Sequence, residues 1–174
     1  MSPRARATVR IVAPRDAVFA FHADAANLAA VLPPGVPLRT IGPSALGPGA
    51  RLRFSFGPFS GVGVVEEWEP PFRFVDEQTF GPFARWHHEH RFAQIGQIGQ
   101  IGQIGADTGM TWVTDTVDFA LRGPARIVEP LAGIVVRAIL AQKLLRTKAL
   151  LEDREDREDR EDRGRREDRA RPSG

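Results

Sequence analysis

Two histidines and one aspartate share the inward face of a predicted β-hairpin. On a strand over 83–93, the alternation of side chains turns His88 and His90 inward. On a strand over 110–121, the same alternation turns Asp115 inward. Inward positions of an antiparallel pair oppose one another, which places Asp115 opposite His88 or His90. A carboxylate beside an imidazole in an apolar wall favours the charged histidine and satisfies both groups.

This arrangement is compatible with four kinds of chemistry. The three side chains are a buried hydrogen-bonded network that fixes the hairpin, or the polar end of a cavity that orients an amphipathic ligand. A third interpretation is catalysis, in which His88 or His90 acts as a general acid or base tuned by Asp115. The fourth is a metal site of two histidines and one carboxylate, but His-x-His on a strand is common, and we expect no metal here.

More polar side chains are expected on the same inward face. On a strand over 60–69, the pattern that turns Val64 inward brings Glu66 with it, and the next strand contributes Asp76 and Gln78. The predicted cavity lining is Glu66, Trp68, Asp76, Gln78, Trp86, His88, His90, Asp115 and Gln142. His22, at the end of a short helix, is instead expected at the surface or in a capping role.

A sheet must position these side chains, and Gly/Pro punctuation divides the chain into its strands. A first strand over 8–12 is followed by two short helices over 14–30. Six further strands are predicted over 36–41, 50–56, 60–69, 72–80, 83–93 and 110–121. Their short connections force antiparallel neighbours, so the middle of the chain is predicted to be a meander.

The last predicted element is a helix over about 126–151. Its broad apolar face on a helical wheel consists of Leu131, Ile134, Val135, Ala138, Ile139, Leu145 and Ala149. Leu140 and Leu144 add apolar surface on the other side, so we expect the sheet to embrace this helix. Gln142 lies near the centre of the broad face, where it reaches either the cavity or a strand carbonyl. The elements together predict an α+β fold, with a curved antiparallel sheet wrapped around a long C-terminal helix.

Two segments repeat every three residues, which matches neither a strand nor a helix. Four copies of Gln-Ile-Gly occupy 94–105 and are predicted to expand a hairpin loop. Four copies of Glu-Asp-Arg occupy 152–163 and begin a segment in which 18 of 23 residues are charged. We therefore expect a ligand-binding domain over 1–151 and a charged tail over 152–174 that is disordered or a frayed helix.

Composition excludes several classes of protein. The 174 residues contain no cysteine, so disulfides, thiolate zinc sites and cysteine nucleophiles are absent. The basic start of the chain lacks the apolar run of a signal peptide, and the most apolar stretch, over 131–140, is too short to span a bilayer. A net charge of +2 gives no dense basic patch for nucleic acid. These features indicate a cytoplasmic protein with no nucleic-acid partner and no stable membrane insertion.

Residues 6–150 resemble the START-like (SRPBCC) superfamily, and more narrowly its bacterial ligand-binding and polyketide cyclase/dehydrase branch. The segments that carry the resemblance are VFAFH at 18–22, PPFRFVD at 70–76, GPFARWHHEHRF at 81–92 and TWVTDTV at 111–117. The resemblance implies a helix-grip fold and a cavity for a hydrophobic or amphipathic small molecule, with no obligatory cofactor. Of the branch pattern, only His88, His90 and Asp115 carry over as candidate functional positions. The Gln-Ile-Gly expansion departs from the pattern, because this hairpin is usually short.

Three functions follow as expectations. The first is a non-enzymatic carrier or sensor of an apolar small molecule, monomeric or homodimeric, in which His88, His90 and Asp115 orient the ligand. The second is a cyclase/dehydratase in which a histidine removes a proton next to a carbonyl. The third is a protein-interaction module whose cavity is filled by its own side chains.

Overall fold

A computed structural model describes residues 3–94 and 109–170 of the chain. The predicted Gln-Ile-Gly loop lies outside the described residues except for Gln94, which ends a strand. Two short 3-10 turns, Ala25–Asn27 and Gly123–Val128, precede the second and third helices. The regular elements in chain order are β1 (Arg4–Ile11), α1 (Arg15–Ala23), α2 (Leu28–Val31), β2 (Leu38–Ile41), β3 (Arg51–Phe56), β4 (Phe59–Glu69), β5 (Arg73–Phe80), β6 (Phe83–Gln94), β7 (Thr111–Leu121) and α3 (Glu129–Ala170).

The seven strands form one antiparallel sheet in the order β1-β7-β6-β5-β4-β3-β2. From β2 to β7 every strand pairs with its neighbour in the chain, so the predicted meander is confirmed. β1 forms one edge of the sheet and pairs with β7, with Val9 opposite Val113. The predicted α+β class, with a long antiparallel sheet and a C-terminal helix, is also confirmed.

The third helix lies on one face of the sheet, which we call the inner face. It packs along β1 and also contacts β7 and α2. Leu140 joins a core cluster with Val117 and Phe119 of β7. Leu144 and Leu151 belong to a second cluster that includes aromatic residues of α1, β5 and β6. Burial of these apolar side chains therefore fixes the helix against the β1–β7 side of the sheet.

The buried face of α3 is the one opposite to the predicted face. Leu131, Ile134 and Leu145 are 62%, 67% and 58% exposed, whereas Leu140 and Leu144 are 4% and 1% exposed. The predicted face was wrong because the helix is apolar on both sides, and the helical wheel did not identify Lys143 and Thr147 as residues of the buried side. Both are buried, so the side of α3 that carries them is the side that faces the sheet.

The charged segment continues α3 as helix as far as Ala170. Glu152 accepts a hydrogen bond from the backbone N–H of Val12 at 2.8 Å and pairs with Lys148. The guanidinium of Arg154 lies over the ring of Phe21, 5.5 Å from its centre. The first turn of the charged segment is thus in contact with α1 and with the residue that follows β1, and the division of the chain at residue 151 stays a prediction.

The alternation predicted for β4 is wrong because the strand is irregular. The β4–β5 ladder shifts register between Val62 and Gly63 and again between Val65 and Glu67. Val65 opposes Asp76 and is 4% exposed, so it faces inward where Val64 was expected to. An inserted residue of this kind reverses the faces of the residues around it, and hydrophobic alternation does not reveal where it occurs.

Substitution of two adjacent leucines tests the observed orientation of α3. We expect Leu144→Ala to lower the free energy of unfolding by about 2–5 kcal/mol, because it empties a fully buried position. Leu145→Ala, one residue away on the exposed side, is the control and should change it by less than about 0.5 kcal/mol. Urea unfolding of the three proteins measures both effects, and a larger effect at Leu145 would restore the originally predicted face.

Candidate functional site

A row of inward side chains crosses four neighbouring strands at the centre of the inner face. His90 of β6 opposes Asp115 of β7 on one side and Phe74 of β5 on the other. Phe74 in turn opposes Trp68 of β4. Of the two registers that the sequence allowed, the structure therefore contains the one that pairs Asp115 with His90. Asp115 and His90 meet because side chains alternate between the inner and outer faces along both strands of the hairpin.

Asp115 is fully buried and has two cationic partners. Its Oδ1 accepts a hydrogen bond from Nδ1 of His90 at 2.9 Å, and its Oδ2 accepts one from Nζ of Lys143 at 2.8 Å. All three side chains are less than 10% exposed. Asp115 therefore joins β6 and β7 to α3 through charge-assisted hydrogen bonds in a medium of low dielectric constant.

The next row brings a second carboxylate to the two histidines. Asp76 opposes His88 in the β5–β6 ladder, and its Oδ1 lies 3.5 Å from Nδ1 of His88 and 3.3 Å from Nε2 of His90. The two imidazole ring centres are 3.9 Å apart. The side chain of Asp76 is 31% exposed, so it is the member through which solvent reaches the group. We call Asp76, His88, His90, Asp115 and Lys143 the histidine–carboxylate cluster.

The electrostatics of the cluster keep both carboxylates ionised. Burial by itself would raise the pKa of Asp115, but Lys143 and His90 outweigh it and hold that pKa well below its usual range. Burial would likewise raise the pKa of Asp76, and the opposing effect of the two histidines lowers it instead. The group therefore presents negative oxygens to the space on the inner face.

The two histidines differ in how strongly they hold a proton. Burial lowers the pKa of His88, and the charge of His90 lowers it further. Burial acts on His90 in the same direction, but Asp115 outweighs it, so the pKa of His90 is raised. The opposed shifts make His90 the more basic ring of the pair and His88 the less basic one.

His22 is a half-buried neighbour of this cluster, so of its two predicted positions, at the surface or in a capping role, the surface position is wrong. Its Nδ1 lies 2.9 Å from the carbonyl oxygen of Val18 in the preceding turn of α1, while its Nε2 is buried without a hydrogen-bond partner. The ring lies edge-on to Phe92, with centres 5.1 Å apart. Burial, together with the charge of Lys143, lowers the pKa of His22 to about 3. The sequence did not reveal this, because a helix end gives no sign of which sheet residue covers it.

The aromatic candidates are core residues beside the cluster. Trp68 is half-buried and packs against Phe19 and Phe74, with ring centres 5.1 and 5.5 Å away. Trp86 is also half-buried, and its ring centre lies 6.3 Å from that of His88. Both contribute apolar wall next to polar residues.

Gln78 is half-buried at the end of the group nearest the β5–β6 turn. Its Nε2 donates to the carbonyl oxygen of Phe83 at 2.9 Å, whereas its Oε1 is buried without a hydrogen-bond partner. It faces Gly63 across the β4–β5 ladder.

Two predicted lining residues lie elsewhere. Glu66 is exposed, because it is the extra residue between Val65 and Glu67 at the register shift of β4. Gln142 is exposed, because it belongs to the outward side of α3. Neither prediction is retained.

Lys143 is the member of the cluster that the sequence analysis did not predict. It follows Gln142 directly and occupies the buried side of α3, 7% exposed. One signal was present in the sequence, since only Lys143 and Lys148 of the 24 basic residues are lysine. A buried lysine needs an anionic partner, and Asp115 was the inward carboxylate already identified.

The cluster offers three ligand atoms that converge on one point. Asp76, His88 and His90 each contribute one nitrogen or oxygen atom, and these atoms lie within 4.8 Å of one another. Chemically, the cluster can accept hydrogen bonds from a bound molecule, exchange a proton through its histidines or coordinate a cation.

Comparison of the whole fold identifies its class. No protein-family model and no curated protein matches the sequence. The structure is similar to a START superfamily protein from Mycobacterium smegmatis, with a TM-score of 0.60 and 12% identity over 87% of this chain and 99% of that one. At that identity the likeness shows the fold alone, and the chain has the START-like, helix-grip fold.

Two further solved structures share this fold. The protein TTHA0849 from Thermus thermophilus has a TM-score of 0.65 and 18% identity over 84% of this chain and 95% of that one. DynU16, from the dynemicin biosynthetic locus, has a TM-score of 0.55 and 19% identity over 87% of this chain, which spans 48% of DynU16. The described part of the chain contains no helix that is both long and apolar enough to cross a membrane.

Removal of the lysine charge tests the buried pair. We expect Lys143→Met to lower the free energy of unfolding by about 3–5 kcal/mol at pH 7, because it leaves a buried carboxylate with one cationic partner fewer. Gln142→Met, on the adjacent exposed position, should change it by less than about 0.5 kcal/mol. Denaturant titration compares the two variants, and equal effects would show that the Lys143–Asp115 pair contributes nothing specific.

The depressed pKa of His22 predicts a pH dependence of stability. Because the unfolded state takes up a proton near pH 6.5 and the folded state does so only near pH 3, His22 lowers stability progressively as the pH falls through that window. The slope is up to about 1.4 kcal/mol per pH unit. We expect wild type to lose about 2 kcal/mol more than His22→Gln between pH 6.5 and 5, measured by urea unfolding. Parallel stability profiles would contradict a buried neutral His22.

Proposed function

We propose that the protein binds a hydrophobic or amphipathic small molecule between the inner face of the sheet and α3, as a carrier or sensor. The START-like fold supports this proposal because such folds typically bind small hydrophobic ligands. Helix α3 packs along the β1–β7 side of the inner face. On the β3–β5 side, apolar residues such as Leu52 and Phe54 are only half-buried. A ligand that covered them would remove this apolar surface from water.

The observation that carries the proposal is the missing side chain at Gly63 of β4, above which we infer space for a ligand. A Cβ at this position would meet only the backbone oxygens of Glu77 and Leu52, at 3.8 and 3.9 Å, which is ordinary van der Waals contact. Gly63 faces Gln78, and the next inward residue of β4 faces Asp76. The space therefore adjoins the polar cluster along one strand.

The cluster would orient an amphipathic ligand at that end. The ionised, partly exposed Asp76 accepts a hydrogen bond from a hydroxyl or ammonium group on the ligand. The half-buried rings of Trp68 and Trp86 supply apolar wall beside it. This division into an apolar wall and a few convergent polar atoms is typical of small-molecule sites.

The remaining features of the proposal follow from the sequence. We place ligand binding in residues 1–151 and assign 152–174 to a charged extension. The protein is proposed to be cytoplasmic, monomeric or homodimeric, and to act without nucleic acid or stable membrane insertion. The proposed class of ligand includes lipids.

A second candidate function is a polyketide-type cyclase or dehydratase. The opposed pKa shifts of His88 and His90 favour it, because they provide a neutral imidazole beside a proton-donating one. In this function His88 would remove a proton next to a substrate carbonyl, and His90 would donate one to the developing enolate oxygen.

Filling the space above Gly63 tests the proposal. We expect mass spectrometry of the natively purified protein to identify a co-purified apolar molecule, and we expect Gly63→Leu to lose it because the new side chain occupies the same space. Glu66→Leu places a leucine at an exposed position of the same strand and should retain the molecule. Thermal unfolding checks that both variants remain cooperatively folded.

The outcomes separate the three functions. A carrier or sensor is supported if the same unmodified molecule co-purifies with wild type and with Glu66→Leu but not with Gly63→Leu. The enzyme is supported if a substrate co-purifies together with its cyclised or dehydrated product. His88→Gln should then change the ratio of the two. A wild-type protein with nothing bound would overturn the carrier function in favour of an interaction module.

A further inference from the structure

We propose that Asp76, His88 and His90 form a binding site for a single divalent transition-metal ion, with Zn²⁺ as the best fit. This inference is independent of the small-molecule ligand, because metal binding is measured with the metal alone. It also revises the sequence-based interpretation, in which the carboxylate of the metal set was Asp115 and no metal was expected.

Two of the three distances between ligand atoms are close to those around a tetrahedral metal ion. Metal–ligand bonds of 2.0–2.1 Å in a tetrahedron place neighbouring ligand atoms about 3.3–3.4 Å apart. Oδ1 of Asp76 lies 3.3 Å from Nε2 of His90 and 3.5 Å from Nδ1 of His88. All three ligand atoms lie within 4.8 Å of one another, so a metal ion would enter with side-chain rotations that set the separation of the two histidine nitrogens.

The remaining nitrogens of both histidines face one buried carboxylate. Nδ1 of His90 donates to Oδ1 of Asp115 at 2.9 Å, and Nε2 of His88 lies 3.7 Å from Oδ2 of the same residue. Metal-binding histidines almost always donate their other N–H to a carboxylate, a carbonyl or water, which fixes the tautomer and the ring orientation. Asp115 is the carboxylate that the non-coordinating nitrogen of each ring faces.

One buried nitrogen also lacks a partner in the cluster. Nε2 of His88 is buried and makes no hydrogen bond, although such an atom is costly to bury. With a metal on Nδ1, a small rotation of the ring would close its 3.7 Å separation from Asp115 into a hydrogen bond. Metal binding would thus satisfy this buried nitrogen of His88.

The charge and access of the site suit a divalent cation. Asp76 and Asp115 supply two negative charges, and Lys143 neutralises part of the charge on Asp115 from the opposite oxygen. Asp76 is partly exposed, which gives the ion a path from solvent and leaves a fourth position for water or for a ligand atom. Three protein ligands with one open position are typical of reactive zinc sites.

The outer face of the same strands supplies a matched control. His87 of β6 and Glu77 of β5 form a histidine–carboxylate pair, with Nδ1 and Oε1 2.7 Å apart. Within residues 3–94 and 109–170, no set of three such ligand atoms other than Asp76, His88 and His90 converges to this extent. A single imidazole and carboxylate on the outer face should not retain the ion.

The experiment is titration of the metal-free protein with ZnCl₂ by isothermal calorimetry, with CoCl₂ as a spectroscopic probe. We expect one equivalent to bind and the Co²⁺ complex to show the visible absorption of a four-coordinate ion. Asp76→Asn and His88→Gln should each weaken Zn²⁺ binding by more than about 100-fold. Asp115→Asn should weaken Zn²⁺ binding by about 10–100-fold, as is usual when a hydrogen-bond partner of a metal-binding histidine is removed.

The controls are Glu77→Gln and His87→Gln, which should leave the affinity unchanged. Circular dichroism and thermal unfolding confirm that each variant is folded. Because Asp76 is partly exposed, Asp76→Asn is the ligand substitution that should disturb the core least. Absence of one-equivalent binding to wild type would overturn the proposal. So would affinity that survives in folded Asp76→Asn and His88→Gln, or that is lost equally in the two controls.

Discussion

Asp115 is the residue on which the arrangement of this protein depends. A fully buried carboxylate is tolerated only when cationic or hydrogen-bonding partners surround it, and here the partners come from two other elements, β6 and α3. The hairpin and the helix must therefore meet at one defined depth and rotation. Apolar packing alone would allow several rotations of α3, because that helix has apolar residues on both sides. The polar requirement of Asp115 selects one of them.

That selection has a consequence on the opposite side of the helix. With Lys143 and Thr147 turned towards the sheet, Leu131, Ile134 and Val135 are turned away from it and remain more than half exposed. Thr147 satisfies its hydroxyl within the helix by donating to the carbonyl oxygen of Lys143 at 3.0 Å. The buried face of α3 is thus partly polar and its exposed face largely apolar, which is the reverse of the usual distribution. Specificity of docking, rather than maximal burial of apolar area, determines this orientation.

The sequence was sufficient where a feature depended on local periodicity. The strands, the meander and the approach of Asp115 to a histidine all follow from alternation and short connections, and these were predicted within a few residues. It was insufficient where a feature depended on long-range pairing. Glu66 was misplaced because an inserted residue in β4 reverses its face, and Gln142 because the polar partner of the helix was not recognised. Burial of His22 depends on β6, which lies far along the chain and leaves no mark in the sequence around it.

Asp76 connects the two proposals for the inner face. As a free carboxylate beside the proposed ligand space at Gly63, it would accept hydrogen bonds, so the proposed groove would select ligands that carry a hydroxyl or ammonium group. With a metal ion on Asp76, His88 and His90, the same position becomes a Lewis acid with one open coordination site. The groove would then select ligands that offer a lone pair, such as a carboxylate, a phenolate or a carbonyl oxygen. The polarity of the preferred ligand would therefore reverse with metal occupancy, while the apolar wall and the space above Gly63 stay the same.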